Sequence, residues 1–177
     1  MPNIIGHCWQ PNRPSEILRT REIKYESESK NMSMSLAQKL AADSIAAVAE
    51  GRNLQDVLAQ IRAAHPQLTA QENGALQDIA YGCQRYLGSL KHMLGQMLKK
   101  PIDNPQLESL LLAAMYQLHY TRNAPHAVVN EAVESIAKIG RGQFRSFANA
   151  ILRRFLRERD NLAASCKKDD VAKHNLP

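Results

Sequence analysis

The sequence predicts an all-α fold, a compact bundle of about seven helices in two small subdomains, from three observations. Apolar residues recur at helical spacing in successive segments, helix-capping residues stand where those segments begin, and aromatics are only 5% of the chain while unbranched side chains are abundant. Unbranched side chains lose little rotamer freedom in a helix, whereas strands favour β-branched and aromatic residues. At 177 residues, one compact domain is expected, since about 150 residues already bury roughly 70% of their unfolded surface.

The helices follow in order. Ser35 is placed to cap a helix carrying Leu36, Leu40, Ala47 and Val48, and Gly51 ends it where a left-handed residue is wanted. Asn53 caps a second helix whose Leu54, Val57, Leu58 and Ile61 share one face, and Pro66 closes it. Thr69 and Glu72 form a capping box for a third. Its stripe of Leu76, Ile79, Ala80, Cys83, Leu87, Leu90 and Leu94 is expected to break into two helices near Gly88. After a loop bracketed by Pro101 and Pro105, apolar residues from Leu107 to Leu118 cover nearly all sides of a helix, which marks it as central and buried. Pro125 opens the next helix, which Gly140 and Gly142 end, and a last one starts at Gln143. In that last helix Phe144, Phe147, Ala148, Ile151, Leu152 and Phe155 form the expected core stripe.

Several function classes find no support. Cys8, Cys83 and Cys166 are odd in number and far apart, so neither a disulfide framework nor a zinc site is suggested. Cys83 falls on a core face, as an inert thiol would. His119, His126 and Asp103 lack metal-ligand spacing, and no glycine-rich phosphate loop or nucleophile elbow occurs. No catalytic residue, metal or cofactor is therefore expected. No run approaches the roughly 20 apolar residues that cross a bilayer, and no signal peptide is evident, so a cytoplasmic protein without membrane partners is expected.

The net charge of +6 is unevenly placed: residues 141–177 hold nine Lys/Arg against four Asp/Glu, whereas residues 32–140 hold nine against nine. On the last helix Arg145, Asn149, Arg153 and Arg157 recur every four residues, which aligns three guanidiniums along one slanting ridge. Arg141, Arg154 and Arg159 flank it. Guanidinium forks bind phosphate oxygens in pairs and stack on unpaired bases, so Arg141, Arg145, Arg153, Arg154 and Arg157 are the candidate RNA contacts. A solvated helix face opposite a core stripe is the plainer alternative. Asn149 is expected to turn inward and bond a neighbouring backbone.

Three segments, taken in order, resemble the NusB/RsmB family of helical RNA-binding domains. They are Tyr81-Gly82-Cys83-Gln84-Arg85, then Tyr116-Gln117-Leu118 with Pro125-His126-Ala127-Val128-Val129-Asn130-Glu131-Ala132-Val133-Glu134, then Phe147-Ala148-Asn149-Ala150-Ile151-Leu152-Arg153-Arg154-Phe155. The resemblance covers about residues 35–160 and implies RNA binding. Asn149-Ala150-Ile151-Leu152-Arg153 matches the branch that forms the N-terminal domain of bacterial ribosomal RNA cytosine-5 methyltransferases. That branch implies ribosomal RNA as partner and a methyltransferase catalytic domain in cis or in trans. The other branch is the free-standing antitermination factor, which binds leader RNA with a ribosomal protein and begins with an arginine-rich helix. Here Ser35-Leu36-Ala37-Gln38-Lys39-Leu40 offers one cation.

Residues 1–31 mix charges without an apolar period and are expected to be a disordered arm or an upstream extension that the folded domain does not need. Residues 32–160 form the expected RNA-binding domain. Residues 161–177 form a linker toward a catalytic domain, because 170–177 resemble the stretch that enters one.

Overall fold

The computed structural model describes residues 35–166, so the expected arm at 1–31 and the end of the expected linker lie outside the described residues. Among them are seven α-helices: α1 over 35–49, α2 (Leu54–Ala64), α3 (Ala70–Arg85), α4 (Leu87–Met97), α5 (Pro105–Tyr120), α6 (Pro125–Ala137) and α7 (Arg145–Cys166). A short 3-10 turn, Ile139–Gly142, joins α6 to α7.

Local signals place most of the ends. After α1, Gly51 takes φ 91°, with Gly51 N–H donating to the Val48 carbonyl at 2.9 Å and Arg52 N–H to Ala47 at 3.1 Å. This is the paired closure of a Schellman motif. The Asn53 side chain accepts from Gln55 N–H at 2.8 Å. At α3 the capping box is complete, with Glu72 N–H donating to Thr69 Oγ1 at 3.2 Å and Thr69 N–H to Glu72 Oε2 at 2.7 Å. Asn104 caps α5 ahead of Pro105.

Three boundaries differ from expectation. Ser35 is itself helical rather than a cap, and its hydroxyl lies 3.4 Å from that of Ser135 on α6. The break between α3 and α4 falls at Tyr86, and Gly88 lies inside α4. The linker expected from 161 begins as packed helix, because Leu162 and Cys166 lie seven and eleven residues beyond Phe155 and continue its buried face.

The central helix is α5, buried at every position from Leu107 to Leu118 except Glu108. It packs on α3 and α4 and also on α6 and α7. A buried hydrogen bond from Gln38 Nε2 to Gln117 Oε1, 2.5 Å long, ties α1 to it. Against α3 and α4, Tyr116 and Tyr120 of α5 stack with Tyr86, the Tyr86–Tyr120 centroids being 4.1 Å apart and the Tyr116–Tyr120 centroids 5.7 Å. Cys83 is fully buried and its thiol meets the Leu112 carbonyl at 3.6 Å. Burial pushes that thiol well above its ordinary range, which leaves it protonated and unreactive.

Candidate nucleic-acid interface

Helix α7 runs 22 residues from Arg145 to Cys166 and presents three sides. Ala148, Ile151, Leu152, Phe155, Leu162 and Cys166 form the buried one. Asn149, Arg153 and Arg157 follow one another at four-residue steps away from it, with Arg153 and Arg157 exposed. The ridge drifts by about 40° per four-residue step, and from Arg145 to Arg157 it rises about 18 Å.

The arginines divide by what holds them. Arg157 has no hydrogen-bond or ion-pair partner among the described residues. Arg153 donates from Nε to Asn149 Oδ1 at 3.0 Å, which leaves its two terminal nitrogens directed away from that contact. Asn149 therefore does not turn inward as expected: it orients the arginine one turn on. Arg145, also exposed, is paired with Glu134 of α6. Both side chains are more than half exposed, so the pair holds little energy and yields readily to a phosphate.

Arg154 and Arg159 have different work. Arg154 Nη1 donates to the Met97 carbonyl at 3.1 Å and its Nε bonds Glu158, while Arg159 Nη1 donates to the Leu118 carbonyl at 3.2 Å. Those carbonyls belong to the last turns of α4 and α5, where no amide of the same helix remains to satisfy them and a cation is favoured. Of the five candidate contacts, the structure thus commits Arg154 to holding α7 against α4, and leaves Arg141, Arg145, Arg153 and Arg157 exposed.

Arg141 sits in the 3-10 turn at φ 55°, between Gly140 at φ 63° and Gly142 at φ 88°. A left-handed conformation costs a side-chain-bearing residue about 1 kcal/mol, and such strain gathers at functional sites. Arg141→Gly is expected to leave thermal stability unchanged or raise it by up to about 1 kcal/mol. Melting curves of the two proteins check this.

The opposite flank of α7 carries a feature that helical spacing conceals. Phe147 is 36% exposed rather than buried. One residue is about 100° of helix, and Ala148 holds the centre of the buried face, so Phe147 falls beside the core. With Phe144 and Ile151 it lines an apolar groove of about 720 Å³, closed by Leu98 and Ile102 and edged by Lys99 and Lys100. An aromatic ring beside two ammonium groups suits single-stranded nucleic acid. Among the described residues no His, Cys, Asp and Glu cluster could hold a metal, and no helix is long and apolar enough to cross a membrane.

The description "NusB family" matches residues 35–157. The ribosomal RNA small subunit methyltransferase B of Sodalis glossinidius (strain morsitans) is 33% identical over 135 residues, covering 75% of this chain and 30% of the relative. The protein of the same description from Cronobacter sakazakii (strain ATCC BAA-894) is 33% identical over 135 residues, 75% of this chain and 31% of the relative. That from Escherichia coli O1:K1 / APEC is 30% identical with the same coverage, 75% and 31%. The chain spans about three tenths of the length of these curated relatives.

Proposed function

Because the chain belongs to the NusB family, we propose that it is a non-catalytic RNA-binding domain, and that it holds ribosomal RNA for a methyltransferase catalytic domain in cis or in trans. Its place of action is the cytoplasm. The observation that carries the reading is the ridge on α7. There Arg153, held by Asn149, and Arg157, without a partner among the described residues, stand one turn apart on the exposed side of a helix whose other face is core. Arg145 joins them on release from Glu134, and Arg141 lies exposed in the turn that precedes the helix. The relatives' description as ribosomal RNA small subunit methyltransferases supports ribosomal RNA as the target. Antitermination draws less support, since the first turns of α1 carry one cation, Lys39, where that branch has an arginine-rich helix.

The test replaces Arg145, Arg153 and Arg157 together by Gln. Exposed substitutions usually change stability by less than about 0.5 kcal/mol each, so the variant should fold. Its affinity for small-subunit ribosomal RNA fragments should fall at every salt concentration. The slope of log affinity against log salt should shrink by roughly two units, at about 0.7 per lost phosphate contact on single strands and 0.9 on duplex. A folded variant with unchanged affinity and slope would return the ridge to a solvated helix face and move the contact to Lys99, Lys100 and Phe147.

A further inference from the structure

Tyr81 is 45% exposed and, with Phe147, is one of two exposed large apolar side chains among the described residues. It borders a niche of about 370 Å³ that lies outside the α7 interface. Helix α3 supplies Gln77, Asp78, Tyr81 and Arg85 to this niche, and Tyr116 and Tyr120 of α5 also line it. Gln77, Tyr81 and Arg85 follow at four-residue steps and so share one side of α3. The Tyr116 hydroxyl donates to Asp78 Oδ1 at 3.1 Å, which fixes the carboxylate at the niche and leaves its other oxygen without a partner among the described residues.

We propose that this niche receives one unpaired RNA base bearing an exocyclic amino group, stacked on Tyr81. The proposal rests on the RNA-binding reading above and adds to it a second contact, one that senses base identity. An exposed tyrosine ring offers a face on which any base can stack. Asp78 is an acceptor only, so it bonds the amino group of cytosine, adenine or guanine. Uracil instead presents carbonyl oxygens beside its single ring N–H, and these meet the carboxylate with like partial charge. Arg85, exposed one turn from Tyr81, is in reach of the phosphate that adjoins a stacked base.

Other ligand classes fit less well. A phosphate group alone would meet one guanidinium with a carboxylate beside it. An apolar peptide side chain would cover Asp78 and desolvate its second carboxylate oxygen with no donor to satisfy it, which is costly. A planar group with a donor edge and a neighbouring anion satisfies all three side chains together.

The experiment measures binding of the full chain to oligocytidylate and oligouridylate of equal length at low salt, for wild type, Tyr81→Ala, Asp78→Asn and the arginine triple variant. Wild type should prefer oligocytidylate several-fold. Tyr81→Ala should lose about fivefold or more in affinity for oligocytidylate, the loss expected for one stacked base, with its salt slope unchanged. Asp78→Asn, in which the amide oxygen still accepts from Tyr116, should bring the two oligomers within about twofold of each other. The salt slope separates the two sites, because the arginine triple variant should lose slope and Tyr81→Ala should not. If wild type binds RNA and loses it in the arginine variant, while folded Tyr81→Ala binds as wild type, the niche proposal is overturned and the RNA-binding reading stands. Equal wild-type affinity for the two oligomers also overturns it. If wild type binds neither oligomer nor ribosomal RNA fragments, both readings fall together.

Discussion

Replacing Gly82 by alanine is expected to destabilise the protein by up to about 2 kcal/mol net, although the change improves intrinsic helix propensity. Gly82 lies inside α3, where alanine is ordinarily favoured by about 1 kcal/mol. A Cβ at this position would stand 2.0 Å from Tyr116 Cζ and 2.3 Å from its hydroxyl oxygen. The ring has little freedom to withdraw. It is stacked with Tyr120, bonded to Asp78 and almost fully buried. Overpacking of this kind costs about 1–3 kcal/mol. Chemical denaturation should therefore show a lower midpoint for Gly82→Ala, and the loss should shrink in a Tyr116→Leu background, because the two positions are in contact. A Gly82→Ala protein as stable as wild type would mean that the tyrosine ring finds another seat at no cost.

That contact also marks where the sequence stops being legible. Caps are read from residues within a few positions of one another, and so Asn53, the Thr69–Glu72 box and the left-handed Gly51 all stand where the sequence places them. The burial of α5 follows equally from its own composition. Gly82 is different: its reason lies on Tyr116, in another helix, and the only local sign is a glycine inside a helical pattern, which often marks a close approach. Arg154 and Arg159 are hidden for the same cause. Spacing puts them among a row of cations, but their carbonyl partners exist only once α4 and α5 end against α7. Phe147 shows the limit of periodicity itself. Spacings of three and four residues define an apolar arc wider than the buried face of α7, and the residue at the edge of that arc lines a groove instead of the core. A ridge of arginines gives no local reason for an amide, so spacing alone makes Asn149 look like a structural residue. Its bond to Arg153 supplies one, since it fixes the direction of a guanidinium that would otherwise sample many rotamers.

Glu131→Gln is expected to stabilise the protein above neutral pH and to change little in acid. Glu131 is only 9% exposed on α6, and no hydrogen bond or ion pair reaches its carboxylate among the described residues. Arg145 takes Glu134, one turn on, instead. Burial pushes the Glu131 carboxyl up from 4.5 to about 7. Below about pH 4.5 the group is protonated both in the folded and in the unfolded chain, and it makes no difference to stability. Between the ordinary value and about 7 the folded state keeps a proton that the unfolded state has released, so stability falls as pH rises through this window and is level above it. The ionised group then costs the fold at most about 3 kcal/mol. Glutamine keeps the shape without the charge. At pH 8 the variant should therefore melt several degrees above wild type, a protein of this size shifting by roughly 2–4 °C per kcal/mol. At pH 4 the two curves should nearly coincide. A variant less stable than wild type at pH 8, or a difference that does not depend on pH, would mean that the Glu131 carboxylate is ionised and held by a positive partner in the folded protein.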